Sequence, residues 1–133
     1  MDITVTAITA GLLALTLIVL SVNVIRLRGQ NKVSLGDGGN EALQRAIRGQ
    51  ANCAEYAPIG VLLLLVAELQ SANFYLLIVL GAALLIGRLM HGYAFGFTSG
   101  NIPLRRGGMM LTFIAIVSLA VVDVAMPMIG WLS

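Results

Sequence analysis

Long apolar stretches and short polar stretches alternate along this chain of 133 residues. Residues 3–25 include no charged side chain, and a helix of that length can cross a hydrocarbon core of about 30 Å. Polar or glycine-rich segments at 27–40, 70–73 and 98–103 separate three further apolar stretches. The pattern predicts an all-α integral membrane protein, a four-helix antiparallel bundle with spans at about 3–26, 41–69, 73–97 and 105–132.

Single residues refine the predicted helices. No basic residue precedes the first apolar stretch, which is also too long for a signal peptide, so we expect it to remain as the first helix. Trp131, near the end of the fourth helix, is expected at a membrane interface. Ala83 and Gly87, and likewise Gly92 and Gly96, have the spacing that permits close contact between membrane helices.

Composition supports a membrane protein and excludes other classes. Hydrophobic residues make up 59% of the chain, charged residues make up 11%, and the mean hydropathy is +0.95. A soluble domain of this size cannot bury so much apolar surface, and a disordered chain has the opposite composition. The single cysteine, Cys53, excludes an intrachain disulfide and fits a small core position. A net charge of +2 without a basic tract gives no support for nucleic-acid binding.

The charges are distributed unevenly between the two ends of the predicted bundle. The basic residues all fall in the first loop, in the third loop or at the helix ends beside them: Arg26, Arg28, Lys32, Arg45, Arg48, Arg88, Arg105 and Arg106. The opposite end has only the acidic residues Asp2, Glu68 and Asp123, of which we expect Asp123 to be solvated. The positive-inside rule therefore predicts cytoplasmic first and third loops, with both termini outside.

The start of the second predicted helix carries a polar stripe. Arg45, Arg48, Asn52 and Glu55 follow one another at intervals of three, four and three residues, which places them on one helix face. Arg45 lies closest to the loop, and we interpret it as a side chain that snorkels to the membrane interface. Asn52 and Glu55 lie two to three turns deeper, where polar groups usually face protein or a water-filled cavity.

Other helix ends bring more polar residues to the same depth. Arg88 and His91 share a face near the end of the third helix, Arg105 begins the fourth, and Arg26 ends the first. His91 is either a structural histidine or a ligand contact. Because arginines outnumber the carboxylates nearby, the cluster predicts a site for an anion. Glu55 either pairs with one of these arginines or binds a cationic group of the ligand.

Three motifs along the chain resemble those of a known family. They are Arg48-x-Gln50-x-Asn52-Cys53-x-Glu55-Tyr56-x-Pro58, Arg88-Leu-Met-His91 and Arg105-x-x-Gly108-x-x-x-Thr112. In this order they resemble the MAPEG family, the membrane-associated proteins in eicosanoid and glutathione metabolism, over nearly the full length of the chain. The first motif is similar to that of leukotriene C synthase and microsomal glutathione transferase. The short length and the loop Leu35-Gly-Asp-Gly-Gly are similar to bacterial-type members.

The resemblance implies a single MAPEG-like membrane domain over 1–133, a homotrimer in a bacterial inner membrane, and active sites between neighbouring subunits. It implies glutathione as co-substrate, no metal, and a lipophilic electrophile that the glutathione thiolate conjugates or reduces. Arg105 matches the catalytic arginine that stabilises the thiolate. The other matches imply glutathione contacts: Arg26, Arg48, Gln50, Asn52, Glu55, Tyr56, Arg88 and His91.

Two positions depart from the family pattern. Phe95 stands four residues after His91, where several members have a tyrosine that contacts glutathione. Ala51 replaces a second arginine of the prostaglandin-synthase branch. These departures motivate an alternative hypothesis, in which the chain keeps the fold but is a non-catalytic membrane protein that binds a different anion or a lipid headgroup.

Overall fold

The computed structural model describes residues 3–132, with side chains as far as residue 130. It contains four α-helices: α1 (Thr4–Asn31), α2 (Glu41–Leu69), α3 (Phe74–Gly96) and α4 (Ile102–Leu132). Each helix is long and apolar enough to span a membrane, and the described residues include no strand. The predicted all-α class with four membrane spans is therefore confirmed.

The helix ends differ from the predicted spans where polar residues continue or begin a helix. α1 runs on through Asn31, beyond the predicted end at Arg26, and stops at Lys32, which adopts the left-handed conformation with φ 55°. α4 begins at Ile102 rather than Arg105, because the Asn101 side chain caps it by accepting a hydrogen bond from the Leu104 amide at 3.0 Å. Asp2 and the side chain of Trp131 lie outside the described residues.

Carboxylate and amide side chains hold the other helix starts. Asn40 and Asn73 cap α2 and α3 by accepting hydrogen bonds from the amides of Leu43 and Leu76. α1 has no side-chain cap of its own at Ile3. Instead Glu68, at the end of α2, accepts hydrogen bonds from the Val5 and Thr6 amides at 2.9 and 2.8 Å. A negative charge at a helix N-terminus is favourable, so Glu68 joins the end of α2 to the start of α1.

Small residues set how closely the helices approach. α3 contacts α1, α2 and α4, whereas α1 and α4 share no contact among the described residues. A Cβ on Gly87 would lie 2.7 Å from Thr112 Oγ1 and 2.8 Å from the Gly108 carbonyl oxygen, so α3 and α4 touch there through glycine. Gly92 lies against Leu20 of α1 in the same way, with 2.9 Å to its Cδ1. The predicted close packing at Gly87 and Gly92 is confirmed.

Two expectations about polar side chains in the helices have opposite outcomes. Cys53 is 1% exposed and packs with Leu20 and Leu84 in the core, as its small size predicts. Asp123 was expected to be solvated, and this is wrong: its two carboxylate oxygens are shielded from water and have no hydrogen-bond partner among the described residues. The reason is helical periodicity, since Asp123 lies one turn after the fully buried Leu119 on the same side of α4.

Gly87→Ala tests the close contact between α3 and α4. The added methyl group has no room beside Thr112 and the Gly108 carbonyl, so we expect a loss of about 1–3 kcal/mol in the free energy of unfolding. Gly11→Ala on α1 is the matched control, because a Cβ there meets nothing within 4 Å. Thermal unfolding in detergent should show a lower midpoint for Gly87→Ala only. Equal midpoints for the two variants would contradict the contact.

Candidate functional site

The ends of all four helices meet at one end of the bundle, which we call the basic end. It comprises the C-terminal turns of α1 and α3, the N-terminal turns of α2 and α4, and the loops at 32–40 and 97–101. The basic side chains all belong to this end, as the sequence predicts, although Arg88 lies about two turns below the end of α3. The candidate site is built here.

Arg88 is the deepest charged group of the site and is 1% exposed. Its Nε donates to Thr112 Oγ1 on α4 at 2.9 Å, and its Nη1 donates to Asn52 Oδ1 on α2 at 2.6 Å. Nη2 approaches the Met109 sulfur at 3.2 Å, and the guanidinium lies 5.3 Å from the centre of the Tyr56 ring. A buried guanidinium needs such partners because leaving its donors unpaired is expensive. Arg88 therefore links α2, α3 and α4 in the interior of the bundle.

The partners of Arg88 include two residues that the sequence assigns to glutathione. The Asn52 side-chain oxygen accepts a hydrogen bond from Arg88, so Asn52 links α2 to α3 in this structure. Tyr56 lies under the guanidinium, and its ring also packs against Phe113 of α4 with 5.7 Å between ring centres. Through these contacts Asn52, Tyr56 and Arg88 fix one another's side-chain orientations. The predicted contacts of the three residues with glutathione stay predictions.

Phe95 organises the upper part of the site. Its Cβ lies against Gly49 of α2, where a glycine Cβ would be only 2.7 Å away. The Arg105 guanidinium lies over the Phe95 ring at 4.1 Å, and the His91 ring packs against Phe95 with 4.9 Å between centres. Phe95 therefore holds the predicted catalytic arginine in place from α3 by a cation–π contact.

His91 is 6% exposed and fastens the start of α4 to α3. Its Nδ1 lies 3.1 Å from the Arg105 carbonyl oxygen. A carbonyl oxygen only accepts, so this contact assigns the proton to Nδ1 and leaves Nε2 as an acceptor in the neutral ring. Of the two alternatives for His91, the structure supports the structural one directly, because this hydrogen bond positions the backbone of Arg105.

A pocket of about 460 Å³ opens between the first loop and the starts of α2 and α4. Its lining includes three guanidinium side chains, one carboxylate, one amide and one aromatic ring, from Arg45, Arg48, Arg105, Asp37, Gln44 and Phe95. The Asp37 carboxylate already accepts a hydrogen bond from the Gly39 amide at 2.9 Å. The pocket is thus rich in positive charge and of a size that suits a small molecule.

The remaining predicted residues differ in their access to this pocket. Arg48 lines it, is exposed, and has no ion pair or hydrogen bond among the described side chains. Glu55, two turns further along the same stripe of α2, is exposed and equally unpaired within the described chain. Arg26 donates to Asn23 Oδ1 at 3.1 Å on α1 and does not line the pocket. Gln50 is half-buried and also lies outside the lining.

Sequence reasoning missed two features of the site. It explained Arg45 as an interfacial side chain, whereas the structure places it in the pocket beside Arg48. The signal was present, since Arg45 and Arg48 are three residues apart on one helix face. Sequence reasoning also treated Phe95 only as a position that lacks the tyrosine hydroxyl. No spacing rule reveals that the Arg105 guanidinium lies over the Phe95 ring.

Comparison with known proteins identifies the family of this chain. The model of the MAPEG family matches residues 6–124, and the chain belongs to this family. It is 44% identical over 112 residues to the inner membrane protein YecN of Escherichia coli strain K12, and the match covers 84% of either chain. The YecN protein of E. coli O6:H1 matches to the same extent. The chain is accordingly a multi-pass membrane protein of the MAPEG family.

Asn52→Ala tests the link between α2 and Arg88. Loss of the Oδ1 acceptor leaves a buried guanidinium donor unpaired, and we expect a loss of about 1.5–3 kcal/mol in the free energy of unfolding. Gln50→Ala removes a similar amide from the same helix where no side-chain contact depends on it, and it should leave stability nearly unchanged. Unfolding curves in detergent that coincide for both variants would contradict a structural role for Asn52.

Proposed function

We propose that this protein is a glutathione transferase or glutathione-dependent peroxidase that acts on lipophilic electrophiles at the membrane. The observation that carries the proposal is the pocket in which Arg48 and Arg105 come together at the basic end. Membership of a family that includes glutathione transferases supports it. The name of the E. coli relative states a location and no reaction.

The groups available in the site suit the groups of glutathione. Glutathione carries two carboxylates, an ammonium group and a thiol. The Arg48 guanidinium is exposed and unpaired in the described chain, so it can bind a carboxylate in bidentate geometry. Glu55 lies about 10 Å further along the same stripe and offers a carboxylate to the ammonium group. Together the two residues bind opposite charges of one ligand.

Arg105 provides the chemistry. A guanidinium beside a thiol favours the charged form, so the thiol loses its proton to water and becomes the nucleophile. The thiolate sulfur forms a bond to the electrophilic carbon, and the leaving group departs with its electron pair to give a thioether. The Arg105 guanidinium lies over the Phe95 ring, and the Arg105 carbonyl oxygen contacts His91. These two contacts hold the guanidinium charge in position before the reaction.

A hydroperoxide reacts in the same pocket by a different bond change. The thiolate attacks the terminal oxygen of the hydroperoxide, the O–O bond breaks, and the departing alkoxide takes up a proton to give an alcohol. The resulting sulfenic acid reacts with a second glutathione thiol to form glutathione disulfide and water. The protein positions and stabilises the thiolate in both reactions, and no metal cofactor enters the proposal.

The site also supports a proposal for assembly. Glu55 is a charged group on the surface of a membrane-spanning helix, where a carboxylate exposed to lipid is costly. We propose that neighbouring copies in a homotrimer cover this stripe of α2, and that Arg26 and Gln50 reach the pocket of a neighbouring copy. Arg48 and Arg105 belong to one chain in this arrangement, because they already line a single pocket.

The excess of basic residues at one end supports an orientation. We propose that the basic end faces the cytoplasm of a bacterial cell, as the positive-inside rule expects, and that both termini lie outside. A reporter that is active only in the periplasm, fused after Ser133, should be active, and the same reporter inserted in the loop at 32–40 should be silent. A silent fusion after Ser133 with an active loop insertion would reverse the orientation.

Phe95 favours one alternative function. Its ring lacks the hydroxyl that a tyrosine would offer to a thiol, while Arg45, Arg48 and Arg105 still form an anion pocket. A non-catalytic protein that binds another anion or a lipid headgroup fits these residues. Thermal stabilisation by a phospholipid but not by glutathione would favour this alternative.

The catalytic proposal is tested with purified protein, glutathione, and either a chloronitroaromatic or a lipid hydroperoxide. We expect turnover by the natural protein. Arg105→Ala should lower kcat by about 100- to 1,000-fold because it removes the group that stabilises the thiolate. Arg48→Ala and Glu55→Gln should mainly weaken glutathione binding, since each removes one charge partner of the ligand.

Lys32→Ala is the control for these variants. It removes an exposed basic residue of the same end that lines neither this pocket nor the cavity beside His91 and Arg105, and it should retain activity. The proposal is abandoned if the natural protein neither turns over these substrates nor binds glutathione in calorimetry.

A further inference from the structure

Arg45 has an environment that its position near the membrane interface does not explain. Its Nε atom is shielded from water and has no hydrogen-bond partner among the described residues. A snorkelling arginine keeps its guanidinium in water, where every donor is satisfied. A shielded Nε shows that the Arg45 side chain is held against the protein and is not extended into water.

Within the described chain, Arg45 has few hydrogen-bond or ion-pair partners. Its one ion pair is with Glu41, one turn earlier on α2, where Nη1 lies 3.4 Å from Oε2 and the glutamate side chain is 86% exposed. Such an exposed pair contributes little and leaves the rest of the guanidinium free. The Nη groups of Arg45 are therefore largely free to bind an acceptor from outside the described chain.

The pocket shows where that acceptor lies. Arg45 and Arg48 both line it, and residues three apart on a helix have Cβ atoms about 5–6 Å from each other. Because both side chains line the same pocket, their guanidinium groups can each bind one carboxylate of a single small ligand. Arg105, which also lines the pocket, lies across it on α4. Asp37 is the only carboxylate in the described lining, so the positive charge stays largely uncompensated.

We propose that Arg45 binds a second carboxylate of the ligand and makes the pocket selective for a thiol that carries two carboxylates. The inference rests on the proposed use of glutathione, for which it supplies a partner of the second carboxylate from the same chain. Arg48 binds one carboxylate, Arg105 faces the thiol, and the Nη groups of Arg45 bind the other carboxylate. Arg26, held by Asn23 on α1, does not line the pocket of its own chain and cannot take this role there.

The test compares three ligands and three proteins by calorimetry. The ligands are glutathione, its glycine monoethyl ester, and the analogue in which the γ-glutamyl α-carboxylate is an amide. The proteins are the natural chain, Arg45→Gln and the control Lys32→Gln, which removes one charge from the same end away from the pocket and from the cavity beside Arg105. Thermal unfolding should be the same for all three, because Arg45 makes only one exposed pair within the described chain.

We expect Arg45→Gln to weaken glutathione binding by about ten- to a hundredfold, which corresponds to loss of a hydrogen bond between charged groups. One of the two analogues should bind the natural chain more weakly by a similar factor and should be insensitive to Arg45→Gln. That analogue identifies the carboxylate that Arg45 binds. Lys32→Gln should bind all three ligands like the natural chain.

Failure of this inference is distinguishable from failure of the proposed function. Equal affinity of the natural chain and Arg45→Gln for glutathione would overturn the role of Arg45 and leave glutathione binding in place. Equal weakening of both analogues by Arg45→Gln would also overturn it, since it indicates a general charge effect. No binding of glutathione, together with Arg45-dependent binding of succinate, would overturn the proposed function and retain a pocket for dicarboxylates.

Discussion

The buried guanidinium of Arg88 is the constraint on which the site depends. Among membrane-spanning helices there is no water to satisfy its donors, so the protein must supply acceptors at fixed positions. Thr112 and Asn52 do so from α4 and α2, and the register of both helices against α3 is set as a result. Arg48 lies one turn above Asn52, and this register therefore decides that it shares a pocket with Arg105.

The sequence predicts the architecture well because the bilayer imposes simple demands. A span needs about 20 apolar residues, and basic residues collect at one end, so both the four helices and the basic end can be read from the chain. The limits of the helices are less predictable. Hydropathy shows where the chain leaves the lipid, whereas backbone hydrogen bonds carry α1 on to Asn31 and the Asn101 cap starts α4 at Ile102.

Partner choice across helices is the part that the sequence does not predict. Spacing correctly places Asn52 and Glu55 on one face of α2, but it does not show that Asn52 is engaged by Arg88 while Glu55 is left unpaired. The same holds for Glu68, which caps a helix whose first residues precede it by more than 60 positions. Such contacts depend on how two helices are rotated against each other, and a rotation of one residue position changes the partner.

Phe95 shows how a departure from a family pattern acquires a physical meaning. In the sequence alone, Phe95 is only a position where several family members have a tyrosine and this chain lacks the hydroxyl. In the fold, its Cβ requires a glycine at position 49, and its ring supports the Arg105 guanidinium at 4.1 Å. An aromatic ring is therefore needed there for packing and for orienting charge, and both requirements are met without the hydroxyl. What the chain loses is one hydrogen-bond donor, so under the proposed function the guanidinium groups alone stabilise the thiolate charge.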